Sequence, residues 1–175
     1  GGAITVANNA AEESFGLSFF SSVYAGGQYK LSASIKAKGD EMKSAFKIYV
    51  TPYSDIKRTV AGDRYELDVE WKTGLSKNLF NTYTFDLAIN KGIAYLDISF
   101  VGETTANLEF SLKDVSFKVT GNNLDFEMGE DKPIFWSATA GTLTSEKGAR
   151  TGGSGTRYAK VSGVNGGRLN SSNIP

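Results

Sequence analysis

In the run Tyr29-Lys30-Leu31-Ser32-Ala33-Ser34-Ile35-Lys36-Ala37-Lys38 every odd position is apolar and every even one polar. Successive side chains of a strand point to opposite faces, so this run predicts a strand with one face buried and the other wet. The same period returns where Phe46, Ile48 and Val50 alternate with Lys47, Tyr49 and Thr51. It returns again over 64–72, where Tyr65, Leu67, Val69 and Trp71 oppose Arg64, Glu66, Asp68, Glu70 and Lys72. Two more apolar stripes follow, Tyr83, Phe85, Leu87, Ile89 and then Ala94, Leu96, Ile98, Phe100. Turn residues separate them: Ala25-Gly26-Gly27, Gly39-Asp40, Ala61-Gly62-Asp63, Asn90-Lys91-Gly92 and Gly102-Glu103. No stretch has the periodicity of an amphipathic helix. Many short strands at near-regular spacing predict an all-β, antiparallel sandwich.

One irregularity lies in the last strand of this block. Leu108, Phe110 and Leu112 keep an even phase, whereas Val115, Phe117 and Val119 keep an odd one. One extra residue reverses every later side chain, so a β-bulge is expected at Lys113-Asp114. It would aim Asp114 at solvent, or at a ligand or ion.

Composition removes much of catalytic chemistry. The chain has no cysteine and no histidine, hence no disulfide, no zinc-thiolate site and no imidazole base. The 19 basic residues balance 19 acidic ones, so no global field draws it to nucleic acid or to an anionic membrane. No apolar run reaches the length of a membrane-spanning helix. A chain of 175 residues folding as one domain would bury roughly 70% of its unfolded surface, enough for a self-sufficient core. Gly1-Gly2 reads as a processed end.

After Gly121 the texture changes to Gly, Ser, Thr and Asn, with strands suggested only at 123–127, 134–144 and 156–162. So little apolar material is marginal for independent folding. The segment is expected to need the first 120 residues, or another copy of them, to bury Phe126, Ile134, Phe135, Trp136, Leu143, Tyr158 and Val161.

Asn123, Phe126, Glu127, Gly129 and Trp136, followed by Arg150, Gly152, Gly155, Tyr158, Val161 and Gly163, form a pattern of short strands. It resembles the opening of the jelly-roll, galactose-binding-like carbohydrate-binding modules of secreted glycan-degrading proteins. Lys113-Asp114-Val115-Ser116-Phe117 is similar to the closing strand of the same family. The resemblance implies a two-sheet antiparallel jelly-roll β-sandwich, located outside the cell or on its surface, in a bacterium. It also implies a structural Ca²⁺ held by Glu127 and Asp114, with Asp125 able to replace either. The parts stand in an unusual order. Residues 122–163 are therefore expected to fold back and supply the opening strands of a single domain, 1–175. The alternative is a truncated module, 1–120, followed by the start of a second, 121–175.

Sugar binding by a sandwich needs flat aromatic faces directed away from the core. Alternation directs Tyr49 and Tyr95 outward, Phe20 flanks the Leu17/Phe19 face, and Tyr53, Tyr24 and Phe80 are placed to line a rim. Trp71 is a larger platform, but it shares the apolar stripe of its strand, which equally suits core packing. Trp136 reads as a packing residue. Glu66, Asp68 and Glu70 alternate with Arg64 and Lys72 like an ordinary wet surface rather than the paired acids of a glycosidase. The expected function is a noncatalytic module that recruits a poly- or oligosaccharide. The alternative is a structural or adhesive sandwich that joins copies of itself by strand exchange.

Overall fold

The computed structural model describes residues 2–8, 13–72, 79–120, 136–138, 142–148, 157–162 and 169–171. The chain forms two compact units. The first comprises Gly1–Ser22, Lys30–Leu87 and Ala94–Lys118; the second comprises Val23–Tyr29, Ala88–Ile93 and Val119–Pro175.

Eight strands follow in chain order from the N-terminus: β1 (Ile4–Ala7), β2 (Ser14–Ser22), β3 (Gln28–Ala37), β4 (Phe46–Tyr53), β5 (Tyr65–Glu66), β6 (Asn81–Ala88), β7 (Tyr95–Glu103) and β8 (Glu109–Thr120). One sheet has the order β1-β8-β3-β6 and the other β2-β7-β4-β5. That order is a jelly roll, an eight-stranded double sheet built of two Greek keys. The expected fold class is the observed one.

The sandwich is closed by residues that the alternation marked as apolar. Leu31, Ala33 and Ile35 of β3 are buried, as are Phe46, Ile48 and Val50 of β4 and Leu96, Ile98 and Phe100 of β7. Phe110 of β8 lies at the centre, 4.9 Å from the Phe46 ring at 73° and 5.7 Å from Phe15. Edge-on packing of this kind adds about 0.5–1.5 kcal/mol per pair to the burial itself. Gly102 makes room for it, because a Cβ there would stand 2.4 Å from the Phe15 ring.

Three local features differ from expectation or sharpen it. A six-residue helix, α1 (Asp40–Ala45), follows Gly39 and buries Met42. It is too short to show a helical period, so the sequence gives it away only as a turn. The alternating run 64–72 forms a strand only at Tyr65–Glu66. Beyond it, one backbone bond from Leu67 N–H to the Ile48 carbonyl continues the line at 2.8 Å. Asp114 adopts φ 50°, a left-handed conformation in mid-strand, where the apolar phase slips. Pairing of β8 with β1 ends just before it, at Leu112.

In the second unit, β10 (Thr142–Lys147) pairs antiparallel with β11 (Arg157–Ser162), and β9 (Trp136–Ala138) pairs with β12 (Leu169–Ser171). Leu143 and Val161 are cross-strand partners, both half-buried. The loops 23–29 and 88–93 are joined by bonds from Gly26 N–H to the Ile89 carbonyl and from Ile89 N–H to the Gly27 carbonyl, each 2.9 Å. Asn123, Phe126, Glu127, Gly129, Ile134 and Phe135 lie outside the described residues, as do the side chains of Trp136 and Tyr158. The eight-strand order is complete between Ile4 and Thr120, with β1 beside β8 along Glu109–Leu112. Among the described residues no helix is long and apolar enough to cross a membrane.

Candidate functional site

The outer face of the β2-β7-β4-β5 sheet brings four partly exposed aromatic side chains together, Phe20, Tyr49, Tyr53 and Tyr95. Its geometry follows from register. Ser22, Tyr95 and Tyr53 form one rung, Phe20, Asp97 and Thr51 the next, then Ser18, Ser99 and Tyr49, then Gly16, Val101 and Lys47. With a rise of about 3.3 Å per residue, the four rungs span about 20 Å along the strands. The inward neighbours Phe46, Ile48 and Val50 on β4 and Leu96, Ile98 and Phe100 on β7 are buried, so this face is fixed to the core and does not rely on loops for its shape.

Phe20 and Tyr95 stack with ring centres 5.2 Å apart and planes 7° from parallel, and Tyr53 meets Phe20 edge-on at 6.0 Å. Tyr49, two rungs along β4 from Tyr53, donates its hydroxyl to Glu103 Oε1 at 2.8 Å. That bond, with a smaller contribution from burial, raises the Tyr49 phenol above its ordinary pKa. The Arg64 guanidinium lies 4.0 Å over the Tyr49 ring. Lys47 donates to Glu66 Oε1 at 2.9 Å, which raises the lysine. Beside Tyr49 a shallow depression of about 270 Å³ is lined by Ser14, Gly16, Ser18, Ser99 and Val101 among others. Gly16 is required there, since a Cβ would lie 2.2 Å from the Phe100 carbonyl oxygen.

A loop from β4 to β5 returns to this face. Asp55 accepts bonds from the backbone N–H of Lys57, Thr59 and Val60 and from the Thr59 hydroxyl, at 2.8–3.3 Å. The hydroxyl bond, backed by the amides, lowers the Asp55 carboxyl below its ordinary value. Tied in this way, the loop carries Arg58 at φ 60°. The Arg58 guanidinium is set 4.2 Å over the Phe20 ring and 3.4 Å from Asp97 Oδ2. Ser99 donates to the other oxygen of Asp97 at 2.9 Å.

The structure thus brings together three of the expected residues, Tyr49, Tyr53 and Tyr95. Trp71 stands apart from them. Its ring packs edge-on against Phe46 at 5.7 Å and Tyr83 at 5.5 Å, and its indole N–H donates to the Lys43 carbonyl. Phe80 lies under Lys36 and Lys113, 5.1 and 4.9 Å from their ammonium groups. Asp114 is exposed, with Lys113 Nζ 4.0 Å away. Calcium takes six to eight oxygen ligands, so Asp114 alone does not make a site. Its expected partner Glu127 lies outside the described residues, and among those described no three acidic side chains cluster.

The sequence offered Phe20 as a candidate but did not join it to Arg58 or Asp97. Two signals were available. Phe19 and Phe20 are adjacent in a strand, so one of them must face outward. Asp55 stands four residues before Thr59, a spacing that suits a side-chain-capped turn.

No protein-family model and no characterised sequence matches the chain. Among solved structures it is similar to a family 16 carbohydrate-binding module, at 10% identity and TM-score 0.42 over 60% of this chain and 70% of that one. It is also similar to a family 4 module, at 18% identity and TM-score 0.38 over 61% of each chain. A third similarity is to Clostridium thermocellum xylanase 10B, whose CBM22-1 and GH10 modules were solved with xylohexaose. There the identity is 15% and the TM-score 0.41, over 68% of this chain and 25% of the xylanase chain.

Proposed function

We propose that the chain is a noncatalytic carbohydrate-binding module that holds a polysaccharide outside the cell or at its surface. The observation carrying this reading is the row of rings on one rigid sheet face, Tyr49, Tyr53 and Tyr95 joined by Phe20. The C–H face of a pyranose is apolar and matches an aromatic ring, while its hydroxyls need donors and acceptors at the ring edge. Asp97, Ser99, Arg58 and the Tyr49 hydroxyl supply both kinds. Carboxylates on this face are tied to cations or hydroxyls rather than set as a desolvated pair across a cleft, which suits binding rather than hydrolysis.

The test is affinity electrophoresis of the full chain through gels containing xylan, β-glucan, mannan or a polyuronate. Wild type is expected to be retarded by at least one of them. Tyr53→Ala with Tyr95→Ala is expected to run free, since a ring stacked against a nucleobase contributes about 1–3 kcal/mol and a pyranose face offers a ring the same kind of flat contact. Free migration of wild type in every gel would remove this reading. The calcium role of Asp114 and Glu127 belongs to the same proposal. If it is correct, chelator lowers the melting temperature of wild type but not of Asp114→Asn.

A further inference from the structure

We propose that the Arg58–Asp97 pair, held over Phe20 by the Asp55-tied loop, is the hydroxyl-reading subsite of this platform and selects an uncharged sugar over a uronate. This rests on the proposed glycan-binding role of the face and names the class of sugar it takes.

Arg58 has a planar fork of donors whose central carbon stands 4.2 Å from the centre of the Phe20 ring; one nitrogen faces Asp97, and the half-exposed side chain leaves further N–H groups open to a ligand. Asp97 presents an acceptor 3.4 Å away, and its side chain is only 13% exposed. A donor and an acceptor side by side match two neighbouring hydroxyls, each of which gives one bond and takes another. A carboxylate on the sugar would satisfy Arg58 but would bring a second negative charge against the largely buried Asp97. Among the described residues of this face there is no surplus positive charge to offset that. Lys47, Arg58 and Arg64 stand against Glu66, Asp97 and Glu103, three of each sign.

The position of Arg58 is built rather than incidental. A non-glycine residue at φ 60° is held there only by its surroundings. Those surroundings are four bonds to the Asp55 carboxylate, the Arg58 N–H to Asp55 carbonyl bond at 3.2 Å, and the Ser54 N–H to Val60 carbonyl bond at 3.3 Å. At the base, Gly62 N–H bonds the Pro52 carbonyl at 2.8 Å. Asp55 touches neither Phe20 nor Asp97 in these contacts, so it is a positioning residue. Its effect reaches the ligand through Arg58.

Affinity electrophoresis and calorimetry on the full chain provide the test, with a neutral xylan or β-glucan set against a polyuronate. Wild type is expected to bind the neutral chain at least about tenfold more tightly than the polyuronate, a difference that one charge conflict produces. Arg58→Lys keeps the charge and loses the fork, and is expected to weaken the neutral ligand by about tenfold. Asp55→Ala is expected to weaken it similarly while the melting temperature stays close to wild type. Asp97→Asn keeps an acceptor and removes the charge, so the preference against polyuronate is expected to shrink. Equal or tighter wild-type binding of polyuronate overturns the inference and leaves the platform standing. Unchanged neutral binding in Arg58→Lys and Asp55→Ala overturns it as well. Absence of any polysaccharide binding removes the platform itself.

Discussion

A methyl group at position 16 has nowhere to go. Its carbon would sit 2.2 Å from the Phe100 carbonyl oxygen and 3.0 Å from the Val101 Cα, both backbone atoms that cannot swing aside. Gly16→Ala is therefore expected to destabilise the fold by about 1–3 kcal/mol, as forced overpacking does. Phe110→Ala should cost more, about 3–5 kcal/mol, because the ring is fully buried against Phe46 and Phe15. Urea unfolding of both variants checks the order, and a larger loss in Gly16→Ala than in Phe110→Ala would contradict it. Asp114 is the opposite case. It is exposed and left-handed, so Asp114→Gly is expected to be neutral or slightly stabilising, whereas Asp114→Val should cost about 1–2 kcal/mol.

At the scale of single elements, the loop from β4 to β5 is where acid should act. Asp55 is held below its ordinary value of 3.8, so its bonds stabilise the loop fully above that pH. The contribution is lost as the pH falls through the lower, folded value. The amide resonances of Thr59 and Val60 are expected to titrate together with an apparent pKa below 3.8, and to stop doing so in Asp55→Asn. A midpoint above 3.8 would mean that the loop does not hold the carboxylate in its charged form.

Elements also show what the sequence could disclose. β3, β4 and β7 were legible because each buries one face, and burial on one face writes a period of two into the residues. The phase slip at Lys113-Asp114 was legible for the same reason, and the backbone turns left-handed there. β2 was not, because Phe19 packs toward Phe117 while Phe20 faces the outer cluster, and the pair blurs the alternation. The run 64–72 alternates but forms a strand only at Tyr65–Glu66, with one further bond from Leu67, and Trp71 packs against Phe46 and Tyr83. Tyr49, Tyr53 and Tyr95 were found one by one. Their convergence depends on the β4–β7 register, and register is set by partner strands far away in the chain.

At the scale of the molecule, the two arrangements drawn from the sequence differ in what a shortened chain does. If residues 122–163 supply the opening strands, a chain ending at Thr120 should be unfolded. The eight-strand order already complete between Ile4 and Thr120 leads to the other expectation, a cooperative melt with β-type circular dichroism. The same shortened chain retains every residue of the aromatic face, so it is also expected to keep its polysaccharide affinity.

Calorimetric titration of the full-length protein with a soluble neutral polysaccharide, beside the Tyr53→Ala, Tyr95→Ala double variant, bears most directly on the proposed role of that face. Saturable binding by wild type, weakened at least about a hundredfold in a double variant of unchanged melting temperature, is the expected result. Equal binding by the two proteins would place the sugar elsewhere on the molecule and contradict the assignment of the β2-β7-β4-β5 outer face.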